Sequence, residues 1–204
     1  LGDGALAFGG LLTPQGKILF DFFILRSGDR FLLDTAADKI EELARRLAFY
    51  RLRSRVSIAP AEDMAIEARW GSDIADDKPA PADPRLPAMG RRRYGTLSSE
   101  SQGSLASYHA HRILLGMPQG GLDHAWGEAF PHEALMDQFG GVDFRKGCYV
   151  GQEVVSRMQH RGTARSRIVR VRAEQALPPP GAMVEAAGKA SGTMGSSDGG
   201  NGLA

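Results

Sequence analysis

Lys146, Cys148, Tyr149, Gln152 and Glu153 are the residues whose types and spacing most plainly suggest chemistry, and all lie in the run Lys146-Gly147-Cys148-Tyr149-Val150-Gly151-Gln152-Glu153. The run contains the single cysteine of the chain. Gly147 and Gly151 permit tight turns and close backbone approach. From Val150 onward, Val150, Val154, Val155 and Met158 recur at helical spacing. Cys148 is therefore expected just before that helix or in its first turn, where unpaired N–H groups and the positive dipole end favour a thiolate. Lys146 adds a second cationic influence toward a reactive thiol. The opposing reading is a small buried hydrophobe, the usual state of a free cysteine. No histidine adjoins Cys148 and no second cysteine exists, so neither a catalytic dyad nor a CxxC pair is indicated.

Two further residues stand out. Asp21 interrupts the apolar run Lys17–Leu25, where a charge is expensive unless it is paired or faces a site; an exposed position on the strand face is the alternative. Arg112 lies in a helical stretch, and its planar fork suits a ligand carboxylate, the alternative being a surface or interdomain salt bridge. His109 and His111 would fall about 200° apart on a helix, and with no third ligand in view no metal site is expected. Neither a GxxxxGK[ST] loop nor a strand-GxGxxG-helix unit occurs, so ATP and nicotinamide chemistry have no support.

The elements that must position these residues follow from turn signals and periodicity. Thr13-Pro14-Gln15-Gly16 reads as a turn, Lys17 to Leu25 as a buried strand, and Arg30 to Leu33 as its hairpin partner. A helix is expected over Ala37 to Leu52, then strands at Val56-Ser57-Ile58 and Met64 to Trp70. Residues 72–87 read as a Pro- and Asp-rich loop, Gly95 to Gly103 as a Ser-rich loop, and the run Arg91-Arg92-Arg93 as solvated surface. Leu105 to Leu115 reads as a helix, Pro131 to Gln138 as a short one, and Arg165 to Arg172 as a half-exposed strand. Met183 to Ala186 and Ala190 to Met194 are two more strands, the beginning of a small β-barrel. The whole is an α+β architecture of antiparallel sheets with helices. The expected division is residues 1–162 and residues 163–204.

Composition bounds the rest. The chain has 204 residues, 42% of them hydrophobic, enough for a sizeable core, and its formal net charge is +1. So small an excess of positive charge argues against nucleic acid as the main partner. One cysteine forms no intrachain disulfide, which suits a reducing compartment. No apolar run approaches the roughly 20 residues needed to span a bilayer, and no signal peptide is visible. The natural protein is expected to be longer at both ends.

The run KGCYVGQE and its continuation VVSRMQHRG resemble the signature of the YgfZ family of folate-binding proteins, which is related to the Iba57 iron–sulfur assembly factors and more distantly to the glycine cleavage T-protein, an aminomethyltransferase. Thr13-Pro14-Gln15-Gly16-Lys17, Asp83-Pro84-Arg85-Leu86-Pro87 and Phe130-Pro131-His132-Glu133 extend the resemblance in the same order. It implies a T-protein-like folate-binding region followed by a C-terminal β-barrel. By the same resemblance tetrahydrofolate is bound centrally, with Asp21, Arg112, Tyr149, Gln152 and Glu153 near the ligand or its loop. Cys148, helped by Lys146, is then the functional thiol.

The implied role is assembly or repair of iron–sulfur clusters, with assembly or client proteins such as radical-SAM tRNA-modifying enzymes as partners. The implied setting is the bacterial cytoplasm or the mitochondrial matrix. A folate-dependent aminomethyltransferase or demethylase is the alternative. In T-proteins this strand carries two acidic residues; here only Asp21 matches and Phe20 replaces the other, which counts against aminomethyl transfer. The Gly-Tyr-Thr-Gly-Glu pterin motif of T-proteins is not found. A single cysteine cannot by itself hold a cluster that takes four thiolates.

Overall fold

A computed structural model describes residues 1–71, 80–96, 103–162 and 164–204. The apolar run around Asp21 forms strand β2 (Ile18–Ser27), the centre of a three-stranded antiparallel sheet with β1 (Leu6–Leu12) and β3 (Arg30–Asp34) at its edges. Alternation along β2 sends Phe20 and Phe22 to one face, where they pack on Leu43 and Leu47. Asp21 and Phe23 go to the other. β1 is an element that periodicity does not announce, because Leu-Ala-Phe-Gly-Gly-Leu-Leu has no β-branched residue and no polar alternation. Gly10 is required there: a Cβ at this position would lie 2.7 Å from the Phe20 carbonyl oxygen.

Leu43 and Leu47 belong to α1 (Ile40–Tyr50), entered through a single 3-10 turn, Ala37–Lys39, so the helix is shorter at both ends than expected. The Val56-Ser57-Ile58 segment forms no strand, and Val56 is exposed. Strands β4 (Ala65–Arg69) and β5 (Arg91–Gly95) pair as a separate antiparallel ribbon instead of extending the first sheet. The expected loop 72–87 and Ser-rich loop 95–103 lie partly outside the described residues. Helix α2 (Leu105–Leu114) starts with a reciprocal capping box between Ser104 and Ser107.

The second core cluster joins distant parts of the sequence. Leu12 and Ile18 pack with Ala134, Met136 and Val155. Val155 is the buried residue of α3 (Gln152–Arg161), the helix of the KGCYVGQE signature. Residues 131–138 form turns rather than a helix: Leu135 has φ of 59°, and the Met136 N–H reaches back to the Pro131 carbonyl at 2.8 Å.

In the C-terminal part, β6 (Arg170–Arg172), β10 (Asn201–Leu203) and β9 (Ser197–Asp198) form one sheet. β7 (Met183–Ala186) and β8 (Lys189–Thr193) form a hairpin. The expected Arg165–Arg172 strand pairs only over its second half, from Val169, which exchanges backbone hydrogen bonds with Ala204 at 2.8 and 3.0 Å; Arg167 instead forks onto Asp137 at 3.0 and 2.8 Å. These sheets are open among the described residues, and no helix among them is long and apolar enough to cross a membrane.

Candidate functional site

The face of β2 that carries Asp21 and Phe23 opens on a cavity of about 1160 Å³. Asp34 and Thr35, the stretch from Ile66 to Trp70, Arg85, Arg92, Tyr108 and Pro118 to Gly120 complete its walls. Burial pushes the Asp21 carboxyl group above its ordinary pKa, and the positive charges of His124 and Arg85 and the Gly120 N–H oppose that rise. Burial pushes His124 the other way, below its ordinary value, with Asp21 opposing. The Thr35 hydroxyl donates to the Asp21 backbone carbonyl at 2.9 Å, holding the strand at this point.

Two guanidinium groups define one wall. Arg85 is bidentate on Asp83, at 3.0 and 2.7 Å, and Arg92 grips Asp34, which also accepts from the Tyr94 hydroxyl at 3.2 Å. Both guanidinium groups lie over the Phe23 ring, 4.6 and 4.1 Å from its centroid. Arg92 is thus buried, contrary to the reading of the Arg91–Arg93 run as solvated surface. Alternation along β5 explains it: Arg92 lies opposite Ala68, which leaves room for a guanidinium to reach Asp34.

An aromatic part of the lining adjoins these groups, with Arg85 Nη2 donating to the Tyr108 hydroxyl at 3.4 Å. The Trp70 ring stacks on His111 at 4.8 Å and 13°, and Tyr108 meets it edge-on at 6.3 Å. On β4, paired with Arg93 rather than Arg92, Glu67 accepts from the Arg69 Nε at 3.1 Å through Oε1, while its Oε2 is buried without a hydrogen-bond partner.

Of the residues expected at the site, Asp21 alone lines this cavity; Lys146, Cys148, Tyr149, Gln152, Glu153 and Arg112 do not. Arg112 corrects the expectation of a fork open to a ligand carboxylate. Its side chain is 1% exposed and donates to Asp123 Oδ2 at 2.6 Å, the Met117 carbonyl at 3.0 Å, His109 Nδ1 at 2.9 Å and Ser196 Oγ at 2.6 Å. It therefore ties α2 to the C-terminal β region.

Cys148 is exposed, three residues before the helix cap at Gly151, so it lies outside the first turn where the α3 dipole would act on it. Lys146 places Nζ 4.7 Å from the centre of the Tyr149 ring. Gln152 Oε1 accepts from the Tyr149 N–H at 3.3 Å, and Glu153 pairs with Arg157 at 2.8 Å on the exposed side of α3. No group of three or more His, Cys, Asp or Glu side chains placed to hold a metal ion occurs among the described residues. Glu67, Trp70 and Tyr108 escaped the sequence reading, since each sits in an ordinary strand or helix pattern; Arg85 carried a signal only as part of Asp83-Pro84-Arg85-Leu86-Pro87.

This arrangement, a central antiparallel sheet and ribbon with a β-rich C-terminal part, resembles the T-protein fold. Glycine cleavage aminomethyltransferase T from Bartonella henselae superposes with a TM-score of 0.68 over 100% of this chain and 68% of that chain, at 14% sequence identity, a likeness of fold alone. Residues 165–204 match the family model of the CAF17 C-terminal β-barrel domain. More particularly, the chain is homologous to the iron–sulfur cluster assembly factors named IBA57, of the YgfZ/Iba57 type. It is 35% identical to the Neurospora crassa homologue over 191 residues (78% of this chain, 43% of the relative) and 34% to that of Mycosarcoma maydis over 200 residues (88% and 49%). The human protein is 32% identical over 221 residues (95% and 62%). All three are named mitochondrial. The chain spans about half the length of the first two of these relatives.

Proposed function

We propose that this chain is the tetrahydrofolate-binding part of a factor that assembles or repairs iron–sulfur clusters, working with assembly or client proteins through Cys148. The observation that carries the folate half is the position of Asp21, a buried acid in the wall of a cavity of about 1160 Å³ with aromatic and guanidinium walls. Ligand pockets usually enclose about 300–1,000 Å³, so a pterin with its aminobenzoyl-glutamate tail fits the space. Flat rings suit the Trp70 and Tyr108 wall, and N–H groups suit the acids. When bound, tetrahydrofolate supplies one-carbon chemistry; the chain's residues would bind and orient it.

The iron–sulfur half rests on the IBA57 names of the relatives and on an exposed thiol, which a protein partner can reach without entering the cavity. The relatives' mitochondrial names support a mitochondrial setting in a eukaryote. Aminomethyl transfer is less well supported. Phe20, at the position of the first of the two T-protein acids, is 1% exposed and packed in the core on the far face of β2.

Tetrahydrofolate titration by calorimetry, on the parent protein and Cys148→Ala in parallel, tests both halves. Equal binding by both, with loss of cluster maturation only in Cys148→Ala, is the expected result. Absence of binding in both overturns the folate reading.

A further inference from the structure

Helix α1 rests on the first sheet through Leu43 and Leu47, but its last turn and the segment after it stand out in solvent. Every residue from Ala48 to Ser57 is exposed. Four large apolar side chains are among them: Phe49 is 76% exposed, Tyr50 51%, Leu52 86% and Val56 55%. The Phe49 and Tyr50 rings meet edge to face at 5.8 Å. Leu52 follows the helix cap at Arg51 with φ of 48°, a left-handed conformation that suits glycine and is disfavoured at leucine. Strained backbone of this kind clusters at functional sites, and here it holds out a large apolar side chain.

Positive charge is gathered in the same place. Residues 45–55 hold five arginines, Arg45, Arg46, Arg51, Arg53 and Arg55, and no acid, which leaves a net −4 (1 − 5) on the rest of the chain. All five are exposed. Arg45 and Arg51 donate to backbone carbonyls, of Glu41 at 3.4 Å and of Val56 at 3.3 Å. No carboxylate among the described residues forms an ion pair with any of the five. The apolar tip is therefore ringed by uncompensated guanidinium groups.

We propose that this tip is a peripheral docking element for an anionic phospholipid membrane. Phe49, Tyr50 and Leu52 enter the bilayer interface, and the arginines hold lipid phosphates around them. Exposed aromatic and aliphatic groups beside arginines are the composition that such an interface takes. Arginine stems can lie along the apolar layer while their charged ends stay at the headgroups. The contact lies on a bilayer and does not cross it, and it is independent of the folate reading.

Two other occupants fit less well. Single-stranded nucleic acid would stack on the two rings but would leave Leu52 and Val56 in water. A protein partner would need a pocket shaped to this projecting tip, whereas a bilayer interface takes apolar groups in any arrangement.

Sedimentation with phosphatidylcholine vesicles, with and without about one third phosphatidylglycerol, tests this on the full-length protein. The parent is expected to bind the anionic vesicles at least tenfold more tightly than the neutral ones. Arg53→Glu combined with Arg55→Glu should weaken that binding by about tenfold or more. Leu52→Gly should weaken it by about threefold or more yet melt no lower than the parent, since glycine accepts φ of 48°. That variant separates lost insertion from lost folding. Absence of binding to the anionic vesicles overturns the proposal, as does equal binding to both compositions. Full retention by Leu52→Gly, with loss only in the arginine variant, reduces the contact to charge attraction and overturns the insertion. Tighter binding to a single-stranded RNA than to anionic vesicles at equal phosphate concentration assigns the patch to nucleic acid and overturns it as well.

Discussion

Gly16 and Gly151 meet backbone to backbone, each with φ of 83°, so that a Cβ on Gly151 would lie 2.7 Å from the Gly16 Cα and 2.7 Å from the Thr13 carbonyl oxygen. The contact joins the Thr13-Pro14-Gln15-Gly16 turn to the start of the signature helix α3. The two fragments are 135 residues apart (151 − 16) in sequence. Their spacing from each other has no local pattern, but each supplies the glycine that the other's approach demands.

Gly151→Ala should therefore destabilise the protein strongly. Left-handed backbone at a non-glycine residue costs about 1–3 kcal/mol, and the steric conflict with the Thr13 turn adds to it. The midpoint of thermal unfolding should fall by about 4 °C or more, at about 2–4 °C per kcal/mol for a chain of this size. An unchanged midpoint would show that the turn yields.

Arg112→Ala should cost about 3–5 kcal/mol, because it leaves the wholly buried Asp123 carboxylate without its guanidinium. Arg112→Lys should recover only part of this, since one ammonium cannot reach Asp123, His109 and Ser196 together. Urea unfolding of the two variants measures the difference. Full recovery by Arg112→Lys would mean that the fork geometry is immaterial.

Asp21 makes stability depend on pH in a defined direction. Its folded-state pKa is raised by burial, so the folded chain holds this proton more tightly than the unfolded chain. The sign follows: stability contributed by this group is present at low pH and declines as pH climbs from the ordinary aspartate value through the raised one. Asp21→Asn should flatten that part of the pH profile and should not lower stability above it. Unfolding midpoints across the acid range, parent against variant, give the comparison.

Cys148 should react fully with a maleimide in the native protein, without denaturant, because the thiol is exposed. Bound tetrahydrofolate should slow that labelling by less than twofold, since no part of the KGCYVGQE run lines the cavity. Strong protection by the ligand would place the thiol beside the bound folate and overturn the separation of the two functions.

What the sequence determined by itself is local. The alternation around Asp21, the hairpin at Ser27-Gly28-Asp29, the α2 helix and the apolar stripe of α3 are all written in residue spacing, because 2.0 and 3.6 periodicities act within a few neighbours. Asp21 could be singled out for the same reason, as one charge in an apolar run. Only the tertiary structure decided which groups share a space. Arg112 has the same sequence whether it meets a ligand or Asp123, and the choice was made by Ser196, 84 residues further on. Of the two places open to Cys148, just before α3 or in its first turn, the structure has the former, since α3 is capped at Gly151, which packs on Gly16. Glu67 reads as an ordinary polar position in a strand, and its isolation arises from the packing around it, a property that no spacing along the chain records.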